Sequence, residues 1–166
     1  MIAGYSIAVA VDALDVVRAA YLTAYAAIFV IDLRTRRIPN AITYPFLALA
    51  LVARPDSLGL VRLESVAVAV AVGAGFLLFA LRGWMGMGDV KLGALIALAE
   101  PPAVAIAALW LAFFTGAVVG VALIAARRAG RRSAVPFGPF LALAAAAAAV
   151  APGLVTEYSP FAALWR

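Results

Sequence analysis

The stretch that decides the fold is "GMGDVKLGALIALAEPP", Gly86 to Pro102. Nine apolar or small residues, 90–99 apart from Lys91, lie between a glycine-flanked aspartate and a glutamate followed by two prolines. That is short for a membrane crossing, since a helix needs roughly 20 apolar residues to traverse the hydrocarbon core. Whether this segment crosses fixes the number of spans and the side on which every later loop lies.

The rest of the 166-residue chain leaves little doubt about its solvent: 67% of residues are hydrophobic and 13% are charged. Soluble domains average nearer half apolar and a quarter charged. The composition therefore predicts an all-α polytopic membrane protein, folded as a single membrane-embedded domain over residues 1–166 because no polar stretch is long enough for a second. Apolar runs predict helices over about 16–31, 38–53, 63–81, 90–99, 103–126 and 136–151. Residues 1–15 either prolong the first helix or lie along the interface, since Asp12, Asp15 and Arg18 interrupt them. Without a basic leading region, the N-terminus does not read as a cleaved signal peptide. The alanine run 144–149 reads as a close-packing surface, and Tyr158, Phe161 and Trp165 as an aromatic anchor.

Loop charge argues that 90–99 crosses. With six spans, nine basic residues (Arg34, Arg36, Arg37, Arg82, Lys91, Arg127, Arg128, Arg131, Arg132) share one side and four (Arg18, Arg54, Arg62, Arg166) the other. By the positive-inside tendency the richer side is cytoplasmic and both termini are outside. The net charge of +5 is thus spent on topology and on anionic lipid, with no nucleic-acid partner expected. With no His and no Cys, the ligands of ordinary zinc and iron–sulfur sites are missing, and no metal or cofactor is expected.

Six acids (Asp12, Asp15, Asp56, Glu64, Glu100, Glu157) fall near outer ends or loops and read as solvated. Asp32 and Asp89 fall instead at the cytoplasmic ends of helices, where ionisable groups suggest function. Each has a plain structural reading: Asp89 as a helix N-cap, Asp32 as the partner of Arg36 four residues on. Together they suit a different role. Two close carboxylates in a low-dielectric site tend to share one proton, so one can accept a proton from water while the other donates to a carbonyl. Gly86 and Gly88 would let an extended main chain approach.

The blocks "IDLRTRRIPNAIT", "GMGDVKLGALIAL" and "VPFGPFLALA" resemble the type IV prepilin leader peptidases, polytopic aspartic peptidases with a GxGD motif. The resemblance implies that Asp32 and Asp89 are the catalytic pair, and that the substrate is a prepilin or pseudopilin precursor cut after a glycine at the cytoplasmic face of the inner membrane. It brings in Pro39, Asn40, Thr43, Lys91, Phe137, Gly138 and Pro139 as site-shaping positions. Pro39 is expected to begin helix two, with Asn40 and Thr43 bonding nearby backbone. Phe137-Gly138-Pro139 is expected to shape a groove or start helix six, and Lys91 to meet lipid phosphate or act on Asp89 from a distance. Longer family members carry an insertion with Cys-x-x-Cys motifs associated with N-methylation; without it, peptidase activity alone is expected. A proton-relaying transporter is the main alternative, although its carboxylates belong near the midplane. A Ser133–Lys91 peptidase is a distant third.

Overall fold

The computed structural model describes residues 2–127 and 136–164, with side chains from residue 13 onward in the first helix. Arg128, Arg131, Arg132, Ser133, Trp165 and Arg166 lie outside the described residues. The described residues are all-α apart from one hairpin of two two-residue strands. Its elements are α1 (Ile2–Thr35), α2 (Asn40–Leu49), β1 (Ala53–Arg54), β2 (Ser57–Leu58), α3 (Leu63–Leu81), α4 (Met87–Ala99), α5 (Pro102–Ala125), α6 (Gly138–Val150), α7 (Pro152–Glu157) and a 3-10 turn over Ala162–Leu164. Residues 2–15 continue the first helix without a break. Among the described residues, three helices are long and apolar enough to cross a membrane: Ala13–Thr35 within α1, α3 and α5.

α4 is the axis of the fold. Val90, Leu92, Gly93 and every residue from Leu95 to Ala99 are buried, and α2, α3, α5 and α6 all pack against it. At 13 residues it is about 20 Å long, short of the roughly 30 Å hydrocarbon core. Surrounding helices supply the apolar environment in place of lipid, so its ends can lie within the protein. Gly93 permits the closest of these packings: a Cβ there would lie 2.6 Å from the Phe76 ring of α3.

α1 turns one face inward. Tyr21, Tyr25, Ile28 and Asp32 are all buried, and their spacing of four, three and four residues places them on a single helical stripe. α6 lies against α1 and α5, burying Ala144, Ala145, Ala148 and Ala149. The alanine run is therefore a packing surface, as small side chains suggest.

Several boundaries differ from the sequence reading. The second helix ends at Leu49 despite the apolar residues that follow. Beyond it the chain makes the hairpin, with Ala53 opposite Leu58 and Arg54 opposite Ser57. Two tethers hold it: the Tyr21 hydroxyl donates to the Ala53 carbonyl at 3.0 Å in the interior, and the half-buried Arg18 guanidinium to the Pro55 carbonyl at 3.3 Å. Pro39 precedes α2 as its N-cap residue and is not the first helical residue.

The larger correction concerns Glu100, expected to be solvated. It caps the end of α4 and is 2% exposed, with its Oε1 oxygen lacking a hydrogen-bond partner. Because α4 stops short inside the bundle, the residue after it is interior. In this α4–α5 connection, burial raises the Glu100 carboxyl from 4.5 to about 8. Asp56 pushes the same way, while Arg18 and Arg54 oppose.

A native pKa above the unfolded one stabilises the fold at low pH. As pH climbs from about 4.5 to about 8, the unfolded carboxyl ionises while the native one stays protonated, and stability is lost. Thermal unfolding in detergent should therefore show a lower melting temperature at pH 8 than at pH 5. Glu100→Gln, a neutral isostere, should flatten that slope and melt higher than the parent at pH 8; parallel curves for the two proteins would contradict the assignment.

Candidate active site

The C-terminal end of α1 and the N-terminal ends of α2, α4 and α6 meet at one end of the bundle. α1 ends when Arg36 enters the left-handed region at φ 54°, its N–H still bonded to the Asp32 carbonyl at 2.8 Å. A non-glycine residue there costs on the order of 1 kcal/mol, and the turn sends residues 36–39 across the end of the bundle. Asp32 sits one turn earlier and is 5% exposed.

What surrounds Asp32 is mainly backbone. The Gly138 N–H, at the start of α6, donates to its carboxylate. A Cβ on Gly138 would lie 2.6 Å from Asp32 Oδ2 and 3.0 Å from Ile38 Cδ1, so any larger residue would have to displace the carboxylate. Among the described residues, the ion pairs within 4.0 Å are Arg18–Asp15, Arg54–Asp56 and Arg62–Glu64. Arg36 therefore forms no ion pair with Asp32, and the surface-pair reading of that aspartate is set aside.

Asp89 enters from α4, and the G-x-G flank explains how. Its Oδ2 accepts from the Gly86 N–H at 3.1 Å, a side chain at N3 reaching back to the N-cap backbone. The capping role is real, one turn later than an N-cap residue. Gly88 lets the neighbouring backbone close in, for a Cβ there would lie 2.8 Å from Ile38 Cβ. Ile38 is thus wedged between Gly88 and Gly138.

Asp32 and Asp89 line one cavity of about 890 Å³. Of the other positions singled out from sequence, Gly86, Gly88 and Phe137 line the cavity too. Gly138 and Pro139 are buried at the start of α6. Thr43 is buried and its hydroxyl bonds the Pro39 carbonyl at 3.3 Å, as expected. Asn40 does otherwise: its Oδ1 accepts from Lys91 Nζ at 2.5 Å. Lys91 is accordingly engaged with α2.

Sequence reasoning missed the far wall. Phe113, Gly116 and Ala117 of α5 and Phe140 of α6 line the cavity. Aromatic contacts brace them, Phe76 to Phe113 at 5.5 Å and Phe113 to Phe137 at 4.8 Å between ring centroids. Phe113, Gly116 and Ala117 span little more than one turn of α5, 8 to 12 residues before its end, and there the helix walls the cavity. Nothing local marks these residues in an almost uniformly apolar segment. Arg36, Arg37 and Trp84 complete the rim. The arrangement offers one buried and one half-buried carboxyl in a shared recess, with glycine backbone on one side.

Comparison with known proteins gives one match. The model of the type IV leader peptidase family matches residues 19–121, which carry both aspartates. No curated protein and no solved structure matches the chain.

Gly138 provides the sharpest test of this geometry. Gly138→Ala must push the Asp32 carboxylate aside, and a misplacement of that order costs about 100-fold in rate. The displaced atom ends a side chain, so peptide cleavage should fall by that factor while the melting temperature stays within a few degrees of the parent. Full cleavage by the variant would show that Asp32 need not sit where it does.

Proposed function

We propose that this chain, which belongs to the type IV leader peptidase family, is an aspartic endopeptidase that removes leaders from prepilin or pseudopilin precursors. It acts at the cytoplasmic face of the inner membrane. The observation that carries the reading is that Asp32 and Asp89, from helices distant in sequence, line one recess beside Gly86 and Gly88.

The chemistry follows from that placement. Two carboxyls in a poorly solvated recess hold one proton between them, because ionising both is costly. The ionised partner removes a proton from a water as its oxygen attacks the scissile carbonyl carbon. The protonated partner gives its proton to the carbonyl oxygen, yielding a neutral tetrahedral diol. Collapse breaks the C–N bond: a diol hydroxyl returns its proton to one carboxylate, and the departing nitrogen receives the proton held by the other. The products are a leader carboxylic acid and a free amine, with the pair again holding one proton.

The recess along α5 suits the apolar helix that follows a leader, and Gly86 and Gly88 leave room for the main chain before the cut. The basic residues at the same end, Arg34, Arg36 and Arg37, favour a cytoplasmic position for the site. With α2, α4 and α6 crossing beside the three long helices, the chain makes six crossings and both termini lie outside. The transporter reading finds less support, since both carboxyls lie at one end of the bundle.

Co-expression with a prepilin, followed by gel analysis of leader removal, tests the assignment. Asp32→Asn and Asp89→Asn should each lose cleavage by at least about 1000-fold with membrane levels maintained; cleavage retained in either overturns it. Topology has its own check. Because the chain has no cysteine, Arg34→Cys and Arg62→Cys each introduce a single label site. An impermeant maleimide added to whole cells should label position 62 and spare 34, and the reverse pattern would refute the orientation.

A further inference from the structure

Lys91 is the chain's single lysine. Its ammonium reaches across 51 residues of sequence to Asn40 Oδ1 at 2.5 Å, and lies 5.0 Å above the centre of the Tyr44 ring. Asn40 and Tyr44 are four residues apart at the start of α2, so they form one face of its first turn. Lys91 therefore meets a carbonyl oxygen and an aromatic face together, a pairing that suits a cation. None of these three residues lines the cavity.

The opposite side of the same junction is held by shape. Ile38 fills the space over Gly88, where a Cβ would lie 2.8 Å from Ile38 Cβ, and it also abuts Gly138. Residues 36–39 run between the helix that carries Asp32 and the helix that carries Asn40. Asp89 lies on α4 between Gly88, which meets Ile38, and Lys91, which meets Asn40. The start of α4 is thus fixed to the start of α2 on either side of Asp89, by packing at residue 88 and by a charge-assisted hydrogen bond at residue 91.

We propose that Lys91 is a positioning residue for the peptidase reaction: by clamping Asn40 and Tyr44 of α2 to α4, it sets the separation and orientation of Asp89 relative to Asp32, without touching substrate. This rests on the peptidase reading above. The clamp needs a cation on α4 and an acceptor on α2. A carboxylate at position 40 and a guanidinium at position 91 are therefore acceptable replacements, whereas neutral apolar groups are not.

The test combines kinetics with a distance that does not depend on activity. Cleavage of a prepilin by full-length protein in liposomes is measured for Lys91→Met, Lys91→Arg, Asn40→Leu, Asn40→Asp and the Lys91→Met/Asn40→Leu double variant. Lys91→Met and Asn40→Leu should each lower kcat by about 10-fold or more with KM within about 2-fold. The double variant should be no worse than either single change, while Lys91→Arg and Asn40→Asp should keep most of the rate. A rise in KM with kcat preserved would identify substrate contact and overturn the proposal, as would additive losses in the double variant.

In parallel, spin labels on Ala41→Cys and Met87→Cys, the only cysteines present, report the α2–α4 distance. One narrow distribution is expected, broadened by Lys91→Met and restored by Lys91→Arg. An unchanged distribution in Lys91→Met would overturn the clamp. If the parent protein cleaves no prepilin, the peptidase reading fails and this distance alone decides whether Lys91 holds the two helices.

Discussion

The structure turns on one close approach: the backbone of residue 138 against the carboxylate of Asp32. A buried carboxylate needs a donor, and here the Gly138 N–H supplies it. It can reach only because residue 138 has no side chain, since a Cβ would stand 2.6 Å from Asp32 Oδ2. That contact requires α6 to run close to α1, which its buried alanines allow. It also leaves a gap that Ile38 fills from one side while Gly88 admits α4 from the other. Three chain segments therefore converge on one carboxyl through glycine, and Asp89 arrives beside it as a result.

α4 extends the same logic along its length. A helix of 13 residues is too short to be solvated by lipid from end to end, so the bundle encloses it. Enclosure places polar groups against the protein interior at both of its ends. At one end Asp89 is paired with a cavity and a capping bond. At the other, Glu100 has an oxygen without a partner and a pKa raised to about 8, which makes the neutral form dominant at neutral pH. The two ends meet the cost of burying an acid by different means: one by a hydrogen bond from the Gly86 N–H, the other by holding a proton.

Much of this was legible in the chain. The bounds of α3 follow from its apolar run between Arg62 and Arg82. Asp32 and Asp89 stand out because each is a carboxylate at the edge of an apolar run, and Asp32 shares the helical stripe of Tyr21, Tyr25 and Ile28. Other features needed three dimensions. Glu100 precedes two prolines and reads as a loop acid; its burial depends on how far the neighbouring helices extend past α4. The hairpin at 53–58 is fixed by tertiary bonds from Arg18 and Tyr21, which leave no trace in local propensity. Lys91 finds Asn40 at a separation no helical periodicity could reveal. The α5 wall of the cavity sits within a helix whose apolar composition hides every face equally.

The convergence of glycines carries a consequence for how this chain tolerates change. In most proteins the least replaceable interior positions are the largest side chains, whose removal leaves a void. Here Gly88, Gly93 and Gly138 each stand where one added carbon would come within 3.0 Å of a neighbour. Many of the bulky residues, such as Leu60, Leu63, Val70, Leu81 and Val121, are instead well exposed on the outer surface. Replacement by another apolar residue there leaves the packing intact. The map of permitted variation is inverted: the positions with the least to lose are the ones where nothing may be gained.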